Sequence, residues 1–219
     1  MRADTIPSDE EIIEINLRYY RERVETELVV QQQYQEENEH EDSEADLLFE
    51  EFNARCPKDG ILIDIGCGQG HYVPWMKEMG FTGYLGIDPS EAMLGLARLQ
   101  NPETEFRVGN VLTLTETAPG PYAGFLCCFA LPFIPRAYVP RALANIRSVL
   151  RDGSYGIFAV AYGDGERWSE IVAEGEGLRP FVTEWDAELL DPHLCTAGFE
   201  MVQTYLDRDR FLWMLVRAE

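Results

Sequence analysis

Residues 61–72 read ILIDIGCGQGHY, and this stretch decides the fold. An apolar run of strand length, 61–66, ends in a loop with Gly66, Gly68 and Gly70, and the spacing predicts a helix from His71 to Met79 with Gly80 as its C-cap. Glycines at such a loop let the backbone turn sharply and let a ligand approach the main chain. The next strand, YLGID at 84–88, ends in Asp88. Strand, glycine loop, helix, strand and terminal acid together place a ligand at the carboxyl ends of a parallel sheet. An acid at that point can accept hydrogen bonds from both ribose hydroxyls of a nucleoside. The spacing also discriminates. A dinucleotide loop is G-x-G-x-x-G, but His71 stands where its third glycine would fall. The phosphate-loop pattern ending in Gly-Lys-Ser/Thr is absent. What remains is a nucleoside ligand without a pyrophosphate.

Outward from this unit, strands and helices alternate. Ser90 can cap a helix over 91–100, which Asn101-Pro102 stops. FRVGN (106–110) and YAGFLCCFA (122–130) read as the third and fourth strands, and Arg136 to Leu150 as a helix ended by the turn Arg151-Asp152-Gly153. SYGIFAVAY (154–162) is a fifth strand. A Gly-rich acidic loop spans 163–177, and a helix spans 183–196. FEMVQTYL (199–206) and RFLWMLVRA (210–218) are two strands joined by Asp207-Arg208-Asp209. The expected fold is α/β: a doubly wound, Rossmann-like sheet of seven strands, mostly parallel with the last antiparallel, under an N-terminal helical cap. The cap covers 1–59 and the ligand-binding domain 60–219. In the cap, 9–34 reads as helix with Ser8 as N-cap, 35–46 as a solvated acidic stretch, and 45–55 as helix with Leu47, Leu48 and Phe52 on one face.

Composition narrows the partners. The 219 residues carry 39 acidic and 18 basic side chains, a net charge of −21. Such a charge repels phosphate backbones and anionic membrane surfaces, so neither nucleic acid nor membrane is an expected partner. Residues 1–59 hold 18 acids against 6 bases, so −12 of the −21 lies in the cap. If those carboxylates face the pocket, a cationic amine is attracted; the rival is a uniformly acidic, halophile-like surface. No apolar run approaches the ~18–20 residues of a membrane span, and Met1 to Glu14 has no basic-then-apolar signal pattern, which predicts a cytoplasmic protein. The five cysteines form no CxxC pair, and His40, His71 and His193 are far apart, so neither disulfide framework nor metal site is expected. Cys127 and Cys128 should face opposite sides of their strand.

ILIDIGCGQGHY resembles motif I of the class I S-adenosylmethionine-dependent methyltransferases, and YLGIDPSEAML resembles their second motif. FRVGN, the stretch from Ala130 to Val160 and the closing hairpin are similar to the family's later segments, so the resemblance runs from about residue 60 to 217. It implies S-adenosylmethionine as cofactor and methyl transfer to O, N or C of a small molecule. It implies that Gly66, Cys67, Gly68 and Gly70 line the methionine half, that Asp64 orders the loop and its waters, and that Asp88 takes the ribose. Pro89 and Met93 would pack near adenine, Asn110 would accept from its amino group, the Val111 backbone would complete that edge, and Phe129 would sit near the methionine amino group. Two departures stand out: the family usually has an acid where Asn110 stands, and an aromatic-Asp pair where this chain has Tyr122-Ala123.

Methyl transfer requires mainly alignment, so no residue must announce itself as catalytic. His71 and Tyr20 are the candidates. Tyr19, Tyr20 and Tyr34 of the cap would close over the cofactor, or simply pack cap on core. Trp168 and Arg179 flank the loop after the fifth strand, where acceptor contacts are expected, or anchor that loop. Other readings stay open: a non-methyl transfer or a non-redox rearrangement with the same cofactor, or a non-catalytic cofactor-binding protein, acting as monomer or homodimer. The Asp/Asn-Pro-Pro-aromatic run of DNA-methylating enzymes is missing; Leu131-Pro132-Phe133 stands there instead.

Overall fold

A computed structural model describes residues 8–22, 44–169, 179–208 and 210–219. Seven strands form the main sheet: β1 (Ile61–Ile65), β2 (Gly83–Asp88), β3 (Glu105–Val108), β4 (Tyr122–Cys128), β5 (Leu150–Ala161), β8 (Phe199–Asp207) and β9 (Phe211–Ala218). Their order across the sheet is β3-β2-β1-β4-β5-β9-β8. The strands from β3 to β5 pair in parallel, and β9 runs antiparallel to both β5 and β8. The order reverses between β1 and β4, and ligands of such sheets bind at that switch point.

The strands are apolar on both faces, and their periodicity sorts the core. Ile63, Ile65, Phe125, Cys127, Phe158, Val160, Met214 and Val216 face one side, packed by α6 (Val139–Ser148) and α7 (Ala187–Ala197) through Leu143, Ile146, Leu190 and Leu194. Leu62, Leu126, Cys128, Ile157, Trp213 and Leu215 face the other, packed by α2 (Glu44–Arg55) and α3 (Val73–Glu78) through Leu48, Phe49, Phe52 and Met76. A sheet covered by helices on both faces has no polar side to alternate with. Cys127 and Cys128 fall on opposite faces, as their adjacency requires, and burial pushes both thiols up. Helix α4 (Glu91–Gln100) is capped by Ser90, whose hydroxyl accepts from the Met93 amide at 3.3 Å, and α1 (Asp9–Glu22) by a reciprocal Ser8–Glu11 pair. A short α5 (Leu114–Thr117) completes the helices. Among the described residues, no helix is long and apolar enough to cross a membrane, and no group of three or more His, Cys, Asp or Glu could hold a metal ion.

Four local expectations are corrected. Arg151-Asp152-Gly153 is not a turn. It lies inside β5, where the register against β4 slips between Tyr122 and Gly124 and Gly153 takes a positive φ of 76°. The bulge absorbs the glycine that reads as a chain reversal. The helix expected over 183–196 starts at Ala187, because Asp186 caps it by accepting from the Leu189 amide at 2.7 Å, and it ends at Ala197. Phe181–Thr183 is instead strand β7, paired with β6 (Glu166–Trp168) inside the stretch expected to be loop. Leu47 is 58% exposed, and Ala45 and Phe49 bury in its place beside Leu48 and Phe52. Of the helix expected over 9–34, α1 covers 9–22; the remainder, with Tyr34 and His40, lies outside the described residues.

Candidate functional site

The glycine loop is built around Asp88. The amides of Gly66 and Cys67 both donate to the Ile87 carbonyl, at 2.7 and 3.1 Å, which folds the loop back over the end of β2. The Gly68 amide donates to Asp88 Oδ2 at 2.9 Å, and the Ser90 amide donates to Oδ1 at 2.8 Å. One carboxylate therefore fixes both the loop after β1 and the entry to α4. The loop needs its glycines for conformation: Gly66, Gly68 and Gly70 have φ of 83°, 54° and 78°. At Gly66 space is also short, since a Cβ there would lie 2.9 Å from the Cβ of Ala130.

Asp64 lies behind the loop, fully buried. Burial pushes its carboxyl up to about 7; the Tyr84 hydroxyl, donating to Oδ2 at 2.5 Å, works against this, and the charge of Asp88 adds to it. The folded protein thus holds a proton on Asp64 that the unfolded chain releases near pH 4. The stability this proton confers is complete below pH 4 and is lost as pH rises through about 7. Replacing Asp64 with Asn removes that dependence. The variant should gain on the parent by up to about 1.4 kcal/mol per pH unit between roughly pH 4 and 7. Urea titrations at several pH values check this; a parent–variant difference independent of pH contradicts it.

In front of the loop lies a cavity enclosing about 640 Å³ of empty space, part of it open to solvent. Ile65, Gly66, Asp88 and Pro89 line one end, with Asn110, Val111 and Leu112 just after β3. Phe129, Ala130, Phe133 and Ile134 follow β4, and α1 supplies Ile13, Asn16, Leu17 and Tyr20 as the opposing wall. Asn110 Oδ1 accepts from the amides of Leu112 and Thr113, at 2.8 and 3.2 Å, which fixes that turn beside the cavity. Phe129 takes a positive φ of 63°, and its ring packs edge-on against Phe211 and Trp213. A left-handed non-glycine costs of the order of 1–2 kcal/mol and persists only where its surroundings fix it.

The structure brings together seven of the residues named from sequence: Gly66, Asp88, Pro89, Asn110, Val111, Phe129 and Tyr20 all line the cavity. Asp64, Cys67, Gly68, Gly70 and Met93 do not line it; they stand behind or beside the loop, and Met93 approaches Gly68 from α4. Tyr19 is fully buried, edge-on to Tyr20. His71 is exposed, with its ring against Tyr72, and His193 packs on Trp185. Trp168 lies on β6 with its ring 5.4 Å from that of Phe181, and Arg179 is exposed; neither lines the cavity.

The α1 wall is what sequence reasoning missed. Asn16 is 2% exposed and bonds in three directions. Its Nδ2 donates to the carbonyls of Phe133 (2.7 Å) and Phe181 (2.8 Å), and its Oδ1 accepts from the Phe181 amide at 2.8 Å. It thereby pairs with β7 as a strand would, and pins α1 across the cavity. The signal was present: a lone Asn among Ile12, Ile13, Leu17, Tyr19 and Tyr20 is a polar residue on an apolar helix face. Asn16→Ala leaves three buried backbone groups unpaired, at about 1–3 kcal/mol each. Amide exchange along α1 should accelerate more than tenfold; unchanged exchange would mean that apolar contacts alone hold the helix.

Residues 62–153 match the family model described as a methyltransferase domain. No curated protein matches the sequence. Among solved structures, DhpI in complex with SAH superposes with a TM-score of 0.74 at 18% identity, over 96% of this chain and 98% of that one. The 1,6-didemethyltoxoflavin-N1-methyltransferase of Burkholderia thailandensis gives 0.70 at 17% identity, over 99% and 92%. The cyclase SpnF gives 0.58 at 18% identity, over 80% of each chain. The chain therefore shares the fold of these solved structures, and its segment 62–153, which holds the glycine loop and the strand-end acid, is similar to a methyltransferase domain.

Proposed function

We propose that this chain transfers a methyl group from S-adenosylmethionine to a small-molecule acceptor. The observation that carries the reading is the placement of the Gly66 backbone and the Asp88 carboxylate on one wall of a cavity at the switch point of the sheet. The residues present fit such a cofactor. At Gly66 the backbone faces the cavity, and a Cβ would fill the approach against Ala130. Asp88 Oδ1 accepts the Ser90 amide and Oδ2 the Gly68 amide, and an ionised carboxylate only accepts, so vicinal ribose hydroxyls suit it. Gly68 and Gly70 hold the loop in shape, Asp64 backs it, and Pro89, Asn110 and Val111 would hold the adenine. Phe129 would stand beside the methionine half.

When bound among Gly66, Asp88, Pro89, Asn110 and Val111, the cofactor would supply an electrophilic methyl carbon with the sulfonium sulfur as leaving group for the acceptor's lone pair. The chain aligns the acceptor for this in-line displacement and excludes water, and the acceptor's proton passes to solvent. Among the described lining residues no His, Lys or Cys offers a strong base, which fits chemistry driven by alignment. Residues 1–59 act as the lid, through α1, on the cofactor domain of 60–219.

Calorimetry with S-adenosylmethionine and S-adenosylhomocysteine tests the site, and absence of binding by both refutes it. A metabolite extract supplied with the isotopically labelled methyl donor then tests the reaction. Label in a product supports methyl transfer. Product formation without label supports a rearrangement, the kind of chemistry the name of the similarly folded SpnF cyclase indicates for that protein. Binding without turnover supports a sensor.

A further inference from the structure

The cavity wall opposite the glycine loop carries information about the acceptor. Ile13, Leu17 and Tyr20 of α1 face Phe129, Ala130, Phe133 and Ile134 after β4, and the rings of Tyr20 and Phe133 meet edge-on at 4.7 Å. Asn16, the one amide on that wall, has both ends of its side chain committed to the backbones of Phe133 and Phe181. Among the described lining residues the charged one is Asp88, at the loop end, where the ribose is proposed to bind, away from this wall.

Among the described residues, the neighbouring charges do not line this wall. On α1, Glu10, Glu11 and Glu14 are exposed: Glu10 accepts from the Tyr138 hydroxyl, and Glu11 caps Ser8. Arg136 donates to the carbonyls of Asp164 and Glu184 and lies over the Trp185 ring. A charged group brought here would be desolvated without a partner, which is strongly unfavourable.

Resting on the methyl-transfer reading, we infer that the acceptor is a small, neutral, flat aromatic molecule, held among Leu17, Tyr20, Phe129 and Phe133 and methylated at a hydroxyl or ring nitrogen. This selects against the cationic amine that an acidic cap would attract. Glu10, Glu11 and Glu14 of α1 are solvated outward, while the wall α1 presents inward is apolar.

The test uses three acceptors that share a fused ring: naphthol, hydroxynaphthoate and aminomethylnaphthol. Each is titrated into the full-length protein saturated with S-adenosylhomocysteine, so that a failed cofactor site shows itself in the first step and a failed acceptor reading only in the second. Naphthol should bind at least tenfold tighter than either charged analogue. Leu17→Glu should shift preference at least tenfold toward the cation, and Leu17→Lys should shift it likewise toward the anion. Leu17 is half-buried on a surface helix, and the two variants check each other against misfolding. Equal or tighter binding of a charged analogue by the parent protein would overturn the inference. So would failure of naphthol to bind a protein that holds S-adenosylhomocysteine, or insensitivity of the order to either charge at position 17.

Discussion

Replacement of Asp88 by alanine should weaken binding of S-adenosylhomocysteine about 10²–10⁴-fold while leaving the fold intact. Asp88 is a hub: its two oxygens accept the amides of Gly68 and Ser90 and face the cavity where a ribose would lie. Hydrogen bonds to a charged group contribute about 1.5–3 kcal/mol each, and a ribose offers two hydroxyls, so the direct loss is roughly 3–6 kcal/mol. The indirect loss is order. Without the carboxylate the Gly68 amide has no acceptor there, and the loop relaxes from the shape the cofactor needs. Asp88→Asn should lie between, since its single carbonyl oxygen can satisfy one backbone amide while its NH₂ opposes the other. Calorimetry checks both variants, with circular dichroism as the control for folding. A Kd within threefold of the parent in Asp88→Ala would remove Asp88 from the binding site.

That hub was legible because its parts are close in sequence. The loop, Asp88 and Ser90 span 25 residues from Gly66 to Ser90, and local rules of turn, cap and strand end govern each. The opposing wall was not legible, because nothing local creates it. Asn16 meets Phe181 across 165 residues, and β7, which receives it, is three residues long, too short to show any period. The same limit explains the corrected elements. β6 vanishes into the Gly-rich segment 163–177 and β7 into the short stretch before the next helix, while the Asp152-Gly153 pair reads as a turn although a bulge accommodates it within β5. Charge, by contrast, was legible in amount but not in direction: −12 in the first 59 residues gives no hint that Glu10, Glu11 and Glu14 all point away from the cavity.

Gly66→Ala should destabilise the loop by roughly 2–5 kcal/mol and abolish measurable cofactor binding, for two separable reasons. The first is conformational. A φ of 83° is open to glycine, whereas a left-handed L-residue costs about 1–2 kcal/mol. The second is steric. The new Cβ would lie 2.9 Å from the Cβ of Ala130, which belongs to the fixed turn after β4 and cannot yield as a long side chain would. Overpacking of this kind costs about 1–3 kcal/mol. A double-mutant cycle divides the two. Ala130→Gly in the Gly66→Ala background removes the contact and leaves the backbone strain, so the pair should recover about 1–3 kcal/mol of stability and only part of the binding. Full recovery would make the defect purely steric, and no recovery would place it all in the backbone. Either result would also locate the cofactor relative to the turn after β4, because a methyl at position 66 that no longer meets Ala130 still projects into the space the ligand must share.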